Sequence, residues 1–253
     1  MNKNNKIIIS AIIIIFIITV ALVILTPFNN KQPTTGGDFD NIYRNKVWGD
    51  ENNGTLSGSG STIEINKYRN IFLSSFINEN NIQEVYDICG DCNWQHVFVD
   101  QVKVKDFKYF GFDISKIALE KAKENNKGNN LYFSDQPIDL CNYILKCNKP
   151  SKSLIIIKEV IQHLTFELGI KMLQNIKKSG IKYIAITNHD SNIFNVQNNI
   201  DINKPGGFYP NNMFLEPFNF KNPIKDVSDL IKNKELEKRY GNLIIFNIQE
   251  QEI

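Results

Sequence analysis

The chain is poor in the features that mark several functional classes. Its 253 residues hold four cysteines, too few for a disulfide-stapled scaffold of this length. An excess of one charge is also missing. The 29 basic and 27 acidic residues leave a formal net charge of +2, and no dense basic stretch offers a footprint for nucleic acid. No internal repeat is present, and no G-x-G-x-x-G fingerprint occurs at a strand exit. Alanine is scarce, and Asn, Lys and Ile are abundant, which reflects genome composition and not function. With 42% hydrophobic residues the chain can still build one sizeable core.

One long apolar run is present. Residues Ile7 to Leu25 read IIISAIIIIFIITVALVIL, without a charge and with only Ser10 and Thr19 polar. As a helix rising about 1.5 Å per residue, they cover roughly 28 Å, close to a hydrocarbon core of about 30 Å. A cleaved signal peptide has a shorter apolar region, about 7 to 15 residues, and a small-residue cleavage site. An uncleaved anchor fits better. Lys3 and Lys6 precede the run and only Lys31 follows it closely, so the positive-inside rule puts the N-terminus in the cytosol. The expected organisation is a cytosolic N-terminus (1–6), a transmembrane signal anchor (7–26), a stalk (27–38) rich in Pro, Gly and polar residues, and a globular domain (39–253). That topology predicts a type II membrane protein with its domain lumenal, in the endoplasmic reticulum or Golgi. Asn53-Gly54-Thr55 is a glycosylation sequon consistent with it.

Within the domain, Ser61-Thr-Ile-Glu64 reads as a capping box ahead of a helix with Tyr68, Ile71, Phe72, Ser75 and Phe76 on one face. From Ile82 on, apolar runs alternate with amphipathic segments. EVYDI, YFGFD, NLYFS, SLIIIKEV, KYIAIT and LIIFNI read as strands, the last with a short partner expected near Pro223 to Val227. QHVFVDQV, SKIALEKAKENN, IDLCNYILK and FELGIKMLQNIKKSG read as helices, with Ser115 and Thr165 as caps and Gly180 as a terminator. This alternation predicts an α/β domain with a Rossmann-like, doubly wound, mostly parallel seven-stranded sheet and helices on both faces, preceded by one transmembrane helix. The irregular stretch after Thr187 is long enough to be functional.

Ligands of such sheets sit beyond the carboxyl ends of the strands. Asp87, Asp113 and Asp135 stand at three successive strand exits, and Gly90 lets a backbone approach closely. A nucleoside sulfonium would use them: Asp113 accepts from ribose hydroxyls and Asp135 from an adenine amino group. Cys89 and Cys92 spell C-x-x-C, which raises a zinc or redox reading. A zinc site needs a second ligand pair, yet Cys141 and Cys147 are spaced too widely for one. A thioredoxin-like site needs a cis-proline opposite the dithiol, and no proline follows Cys92 until Pro137. The stretch therefore reads as a cofactor turn, with all four cysteines as small or buried thiols and no metal.

The segments IYRNKVWG, SGSGS, VYDICGDCNW, YFGFDIS, LYFSDQP, IIKEVIQHL and IDINKPGGFYPNN together resemble the class I S-adenosylmethionine-dependent methyltransferases, in particular a branch with a Cys-Gly-Asp first loop. The resemblance spans roughly Phe39 to Ile248. It implies S-adenosylmethionine as cofactor, with Asp87, Gly90, Asp91 and Asn93 at its methionine end, Asp113 at the ribose and Asp135 at the adenine. Glu159 is a further cofactor-side carboxylate. The loop departs from the pattern in having one glycine where many such enzymes have three.

Methyl transfer to a hydroxyl gains from a general base, for which His163, His189 and Asp201 are the candidates. Trp48 and Ser57 to Ser61 are candidates for a lid, and Phe208 and Tyr209 for an acceptor pocket. The implied activity is O-methylation of a small molecule or glycan at a membrane, with no nucleic-acid partner. The alternatives are a catalytically silent binding module on the same fold and a nicotinamide-dependent oxidoreductase.

Overall fold

A computed structural model of the chain describes residues 36–49, 52, 54–189, 194–229 and 241–253. The expected membrane anchor, the sequon residue Asn53 and most of the stalk lie outside them. Among the described residues no helix is long and apolar enough to cross a membrane.

Seven strands form one sheet: β1 (Glu84–Ile88), β2 (Lys108–Phe112), β3 (Tyr132–Phe133), β4 (Ser153–Ile157), β5 (Tyr183–Asn188), β6 (Lys225–Asp226) and β7 (Asn242–Asn247). Their order is β3-β2-β1-β4-β5-β7-β6. The first five run parallel, and β7 runs antiparallel to both β5 and β6. The chain starts at β1 in the middle, winds outward to β3, then returns to β4 on the other side of β1. The strand order thus reverses between β1 and β4, where such sheets open a crevice.

The burial pattern explains why the sheet is covered twice. Along β4, Ile155 and Ile157 join one apolar cluster, and Leu154 and Ile156 join the other. Side chains alternate across a strand, so a run that is apolar at every position needs cover on both faces. Helix α5 (Phe166–Lys178) covers the first face through Met172, Leu173 and Ile176. Helices α2 (Lys67–Glu79) and α3 (Gln95–Val99) cover the second through Phe72, Phe76 and Phe98. Each such fully buried side chain contributes about 1.5 to 3 kcal/mol. Helix α4 (Lys116–Asn125) begins at Ser115, whose hydroxyl accepts from the Ala118 amide, and α5 begins at Thr165, which caps the Leu168 amide. Helix α1 (Gly36–Arg44) starts within the segment read as stalk, and its Asp40 carboxylate accepts the Ser115 hydroxyl at 2.6 Å.

Three local expectations are corrected. Residues 138–146 form no helix: Asp139 accepts from the Cys141 amide and the Asn142 side chain, and Asn175 donates to the Leu140 and Cys141 carbonyls. The Asp139 side chain thus holds the segment in a local turn that competes with a helical ladder, although Leu140, Cys141 and Leu145 still reach the core. Cys141 and Cys147 are therefore free thiols on an irregular segment. The Ser61-Glu64 capping box does not form either. Ser61 closes a short 3-10 turn, and α2 starts only at Lys67. Its inner face carries Arg69, Phe72, Leu73, Phe76 and Ile77, and Ile71 is exposed. The Arg69 guanidinium is tolerated inside because it donates to the Ile65 and Gly241 carbonyls.

Candidate active site

A cleft opens at the carboxyl ends of β1, β2 and β4, where ligands of such sheets bind. The N-terminal arm lines one side of it with Phe39, Tyr43 and Trp48. Trp48 packs edge-on against Phe39 and Tyr43, so the arm is held by its own aromatic cluster.

Asp87 lies within β1 and is buried. Its Oδ2 accepts from the Tyr109 hydroxyl at 2.7 Å and from Gln95 Nε2 at 3.0 Å, and its Oδ1 is buried with no partner. Burial pushes its pKa up to about 6 against the opposing hydrogen bonds. The turn that follows runs from Cys89 to Cys92, with the Cys92 amide donating to the Cys89 carbonyl at 2.8 Å. Gly90 has φ +55°, and a Cβ there would lie 2.4 Å from Ser57 Oγ and 3.0 Å from the Tyr43 hydroxyl. Only glycine fits this position, both for its left-handed backbone and for the close approach of the arm.

Asp113 follows β2. Its Oδ2 accepts from the Gly90 amide at 3.1 Å and its Oδ1 from the Ser115 amide at 2.8 Å, which ties the exits of β1 and β2 together. Burial raises its pKa to about 6 despite these amides. The carboxylate lines the cleft, so it is open to a ligand donor.

Glu159 leaves β4 in the left-handed region, φ +55°, a conformation that costs a non-glycine residue about 1 to 3 kcal/mol. It is held there by its amide donating to Thr187 Oγ1 at 2.8 Å and by Gln162 Nε2 bonded to its Oε2. Its Oε1 is buried without a partner, and the residue lines the cleft. His163 ends the next turn. Its Nδ1 lies 2.7 Å from the Gly207 carbonyl, so Nδ1 donates and Nε2 carries the lone pair of the neutral ring. Burial lowers its pKa, which favours that neutral form. The ring lies 4.6 Å from the Trp48 ring, centroid to centroid.

The cleft thus brings together Asp87, Gly90, Asp113, Glu159 and His163. Trp48, Ser57, Ser61, Cys89 and Cys141 also line it, whereas the remaining candidate site residues lie elsewhere. Asp91 is turned away, its carboxylate taking the Thr55 hydroxyl and the Leu56 amide, and Asn93 donates to the Ser61 carbonyl. Asp135 is exposed, 3.9 Å from Lys123. Asp201 accepts from the Phe166 amide at the start of α5. His189 is buried, its Nδ1 accepting from the Asn211 amide, and packs against Phe194 and Phe208. The four cysteines are free, and no metal-binding group of three or more such side chains occurs among the described residues.

Sequence reasoning missed Asp139 and Lys158, both of which line the cleft. Asp139 enters because the Ile138 amide donates to the Asp113 carbonyl at 2.9 Å, which draws this segment across the end of β2. The Asp four residues after Asp135 was the available signal. Lys158 had one too: a charge directly after four apolar residues of a central strand.

No family model and no curated protein matches the sequence. Solved structures do match the fold. Magnesium protoporphyrin IX methyltransferase from Synechocystis PCC 6803, determined with bound S-adenosylmethionine, is 12% identical with a TM-score of 0.52, covering 83% of this chain and 93% of that one. Human N-acetylserotonin methyltransferase, in complex with S-adenosylmethionine, is 13% identical with a TM-score of 0.46, over 71% of this chain and 51% of that one. The chain shares the α/β fold of the first of these enzymes.

Proposed function

We propose that the chain binds S-adenosylmethionine in this cleft and transfers its methyl group to an oxygen of a small molecule or glycan, as a class I methyltransferase tethered to a membrane through residues 7–26. The observation that carries this is the set of buried carboxylates with unused acceptor capacity around the Gly90 turn. Asp87 Oδ1 and Glu159 Oε1 lack partners, and the Asp113 carboxylate lines the same cleft. A ligand rich in donors, with an ammonium, ribose hydroxyls and an adenine amino group, suits such a site. The Synechocystis methyltransferase that shares this fold, determined with S-adenosylmethionine bound, supports the assignment.

When bound, the cofactor supplies an electrophilic methyl carbon on a cationic sulfur. Asp113 would hold the ribose hydroxyls, and Asp139, which lines the cleft beside it, would meet the adenine. Phe39, Trp48, Leu164 and Met172 give the cleft apolar walls that exclude water. His163 Nε2 takes the proton of the acceptor hydroxyl, and the Gly207 carbonyl holds its ring in the required tautomer. Glu159 stands close enough to favour the imidazolium that forms. Fixing acceptor and methyl carbon in line provides the rest of the acceleration. Parallel calorimetric titration of the full chain in mild detergent with S-adenosylmethionine and with NAD tests the assignment. Micromolar binding of the first alone is expected. Binding of NAD alone would make the domain an oxidoreductase, and binding of neither a silent module.

A further inference from the structure

The cleft contains one formal cation. Among the described residues that line it, Asp87, Asp113, Asp139 and Glu159 are acidic and only Lys158 is a lysine or arginine. Lys158 is 8% exposed. Its Nζ donates to the Gly60 carbonyl at 3.0 Å and lies 5.8 Å from the centre of the Trp94 ring. A carbonyl and a ring face are weak compensation for a buried ammonium. No carboxylate of the described residues forms an ion pair with it, and two of its three N–H donors remain for a ligand. Burial pushes its pKa down to about 8, opposed by the negative charges of Glu159 and Asp87.

The position of Lys158 in the sheet says which part of a ligand it meets. Asp113 follows β2, and Asp139 is drawn to its side by the Ile138 amide. Lys158 follows β4, on the far side of β1. A ligand with its nucleoside at Asp113 and Asp139 therefore crosses the Gly90 turn and ends between Asp87 and Lys158. At that end S-adenosylmethionine carries an ammonium and a carboxylate. Asp87 presents the unpartnered Oδ1, which matches the first.

Resting on the cofactor assignment above, we propose that Lys158 binds the carboxylate of the cofactor's amino-acid end and is the residue that distinguishes the whole cofactor from its nucleoside fragment. The role is positioning: Lys158 fixes the cofactor along the β4 exit, next to Glu159.

The test is a two-ligand cycle by calorimetry on the full chain, parent and Lys158→Met. The probes are S-adenosylhomocysteine, which has the carboxylate, and methylthioadenosine, which lacks the amino-acid end. Lys158→Met is expected to weaken S-adenosylhomocysteine about 10- to 100-fold and to leave methylthioadenosine within about twofold. Unchanged methylthioadenosine affinity also shows that the variant is folded. If it is not, Lys158→Gln, which keeps a donor for the Gly60 carbonyl without the charge, takes its place, with the same expectation. Equal losses for both ligands in both variants, or no loss for S-adenosylhomocysteine, would overturn the role of Lys158. A parent that binds neither probe would overturn the cofactor assignment itself.

Discussion

Trp48 and His163 pack ring against ring at a tilt, 4.6 Å between ring centroids and 35° between planes, although 115 positions separate them in the chain. The contact joins the N-terminal arm to the turn after β4. It also buries one face of the imidazole, and burial is the main cause of its lowered pKa. Removing the indole with Trp48→Ala should let the His163 pKa rise toward the ordinary imidazole range, read by NMR titration of the ring. The variant should also lose about 1 to 2 kcal/mol of stability from the aromatic cluster.

Gly90→Ala should be much worse than its size suggests. The new Cβ meets Ser57 Oγ at 2.4 Å, and the backbone is in the left-handed region. Thermal unfolding should show a loss of about 1 to 3 kcal/mol, together with displacement of the arm and loss of cofactor binding.

Asp113→Ala should abolish measurable cofactor affinity. It removes the ribose acceptors and leaves the Gly90 and Ser115 amides buried without their partner, about 1 to 3 kcal/mol for each. Asp113→Asn keeps one acceptor oxygen and should fall between parent and Ala variant in a calorimetric titration.

Cys89→Ser should change cofactor binding little. Its Sγ makes only weak contacts, 3.7 Å to the Gly90 carbonyl and 3.6 Å to that of Phe112, which a hydroxyl can replace. Loss of a thiol-dependent redox activity in this variant would instead make the C-x-x-C stretch a dithiol site.

The acidic pair predicts a pH profile for folding. Burial raises both Asp87 and Asp113 from 3.8 to about 6. The folded state then holds these protons more tightly than the unfolded chain, so their contribution is full below 3.8 and is lost as pH rises through about 6. Each carries on the order of 3 kcal/mol at most. Denaturant unfolding across that window should show a downward component for the parent, reduced in Asp87→Asn.

Much of the scaffold was legible because local signals and tertiary demands agreed. Strand β1 has the predicted bounds, Glu84–Ile88, since turn residues flank an apolar run on both sides. Ser115, Thr165 and Gly180 act as expected because caps and left-handed terminators depend on local backbone chemistry. Residues 138–146 misled because Asp139 closes a local turn on Cys141 and Asn142, and Asn175, distant in sequence, pins the Leu140 and Cys141 carbonyls. The same fold of the chain brings Asp139, and not Asp135, to the cleft. Nor does a sequence reveal the left-handed backbone of Glu159, which is held by the Thr187 hydroxyl from the neighbouring strand.

The most direct test of the account is a crystal structure of the chain grown with S-adenosylhomocysteine. It should show the ligand in the cleft, with its ribose hydroxyls on Asp113 and its amino-acid end between Asp87 and Lys158. An empty cleft at saturating ligand, or a nucleoside bound away from Asp113, would contradict it.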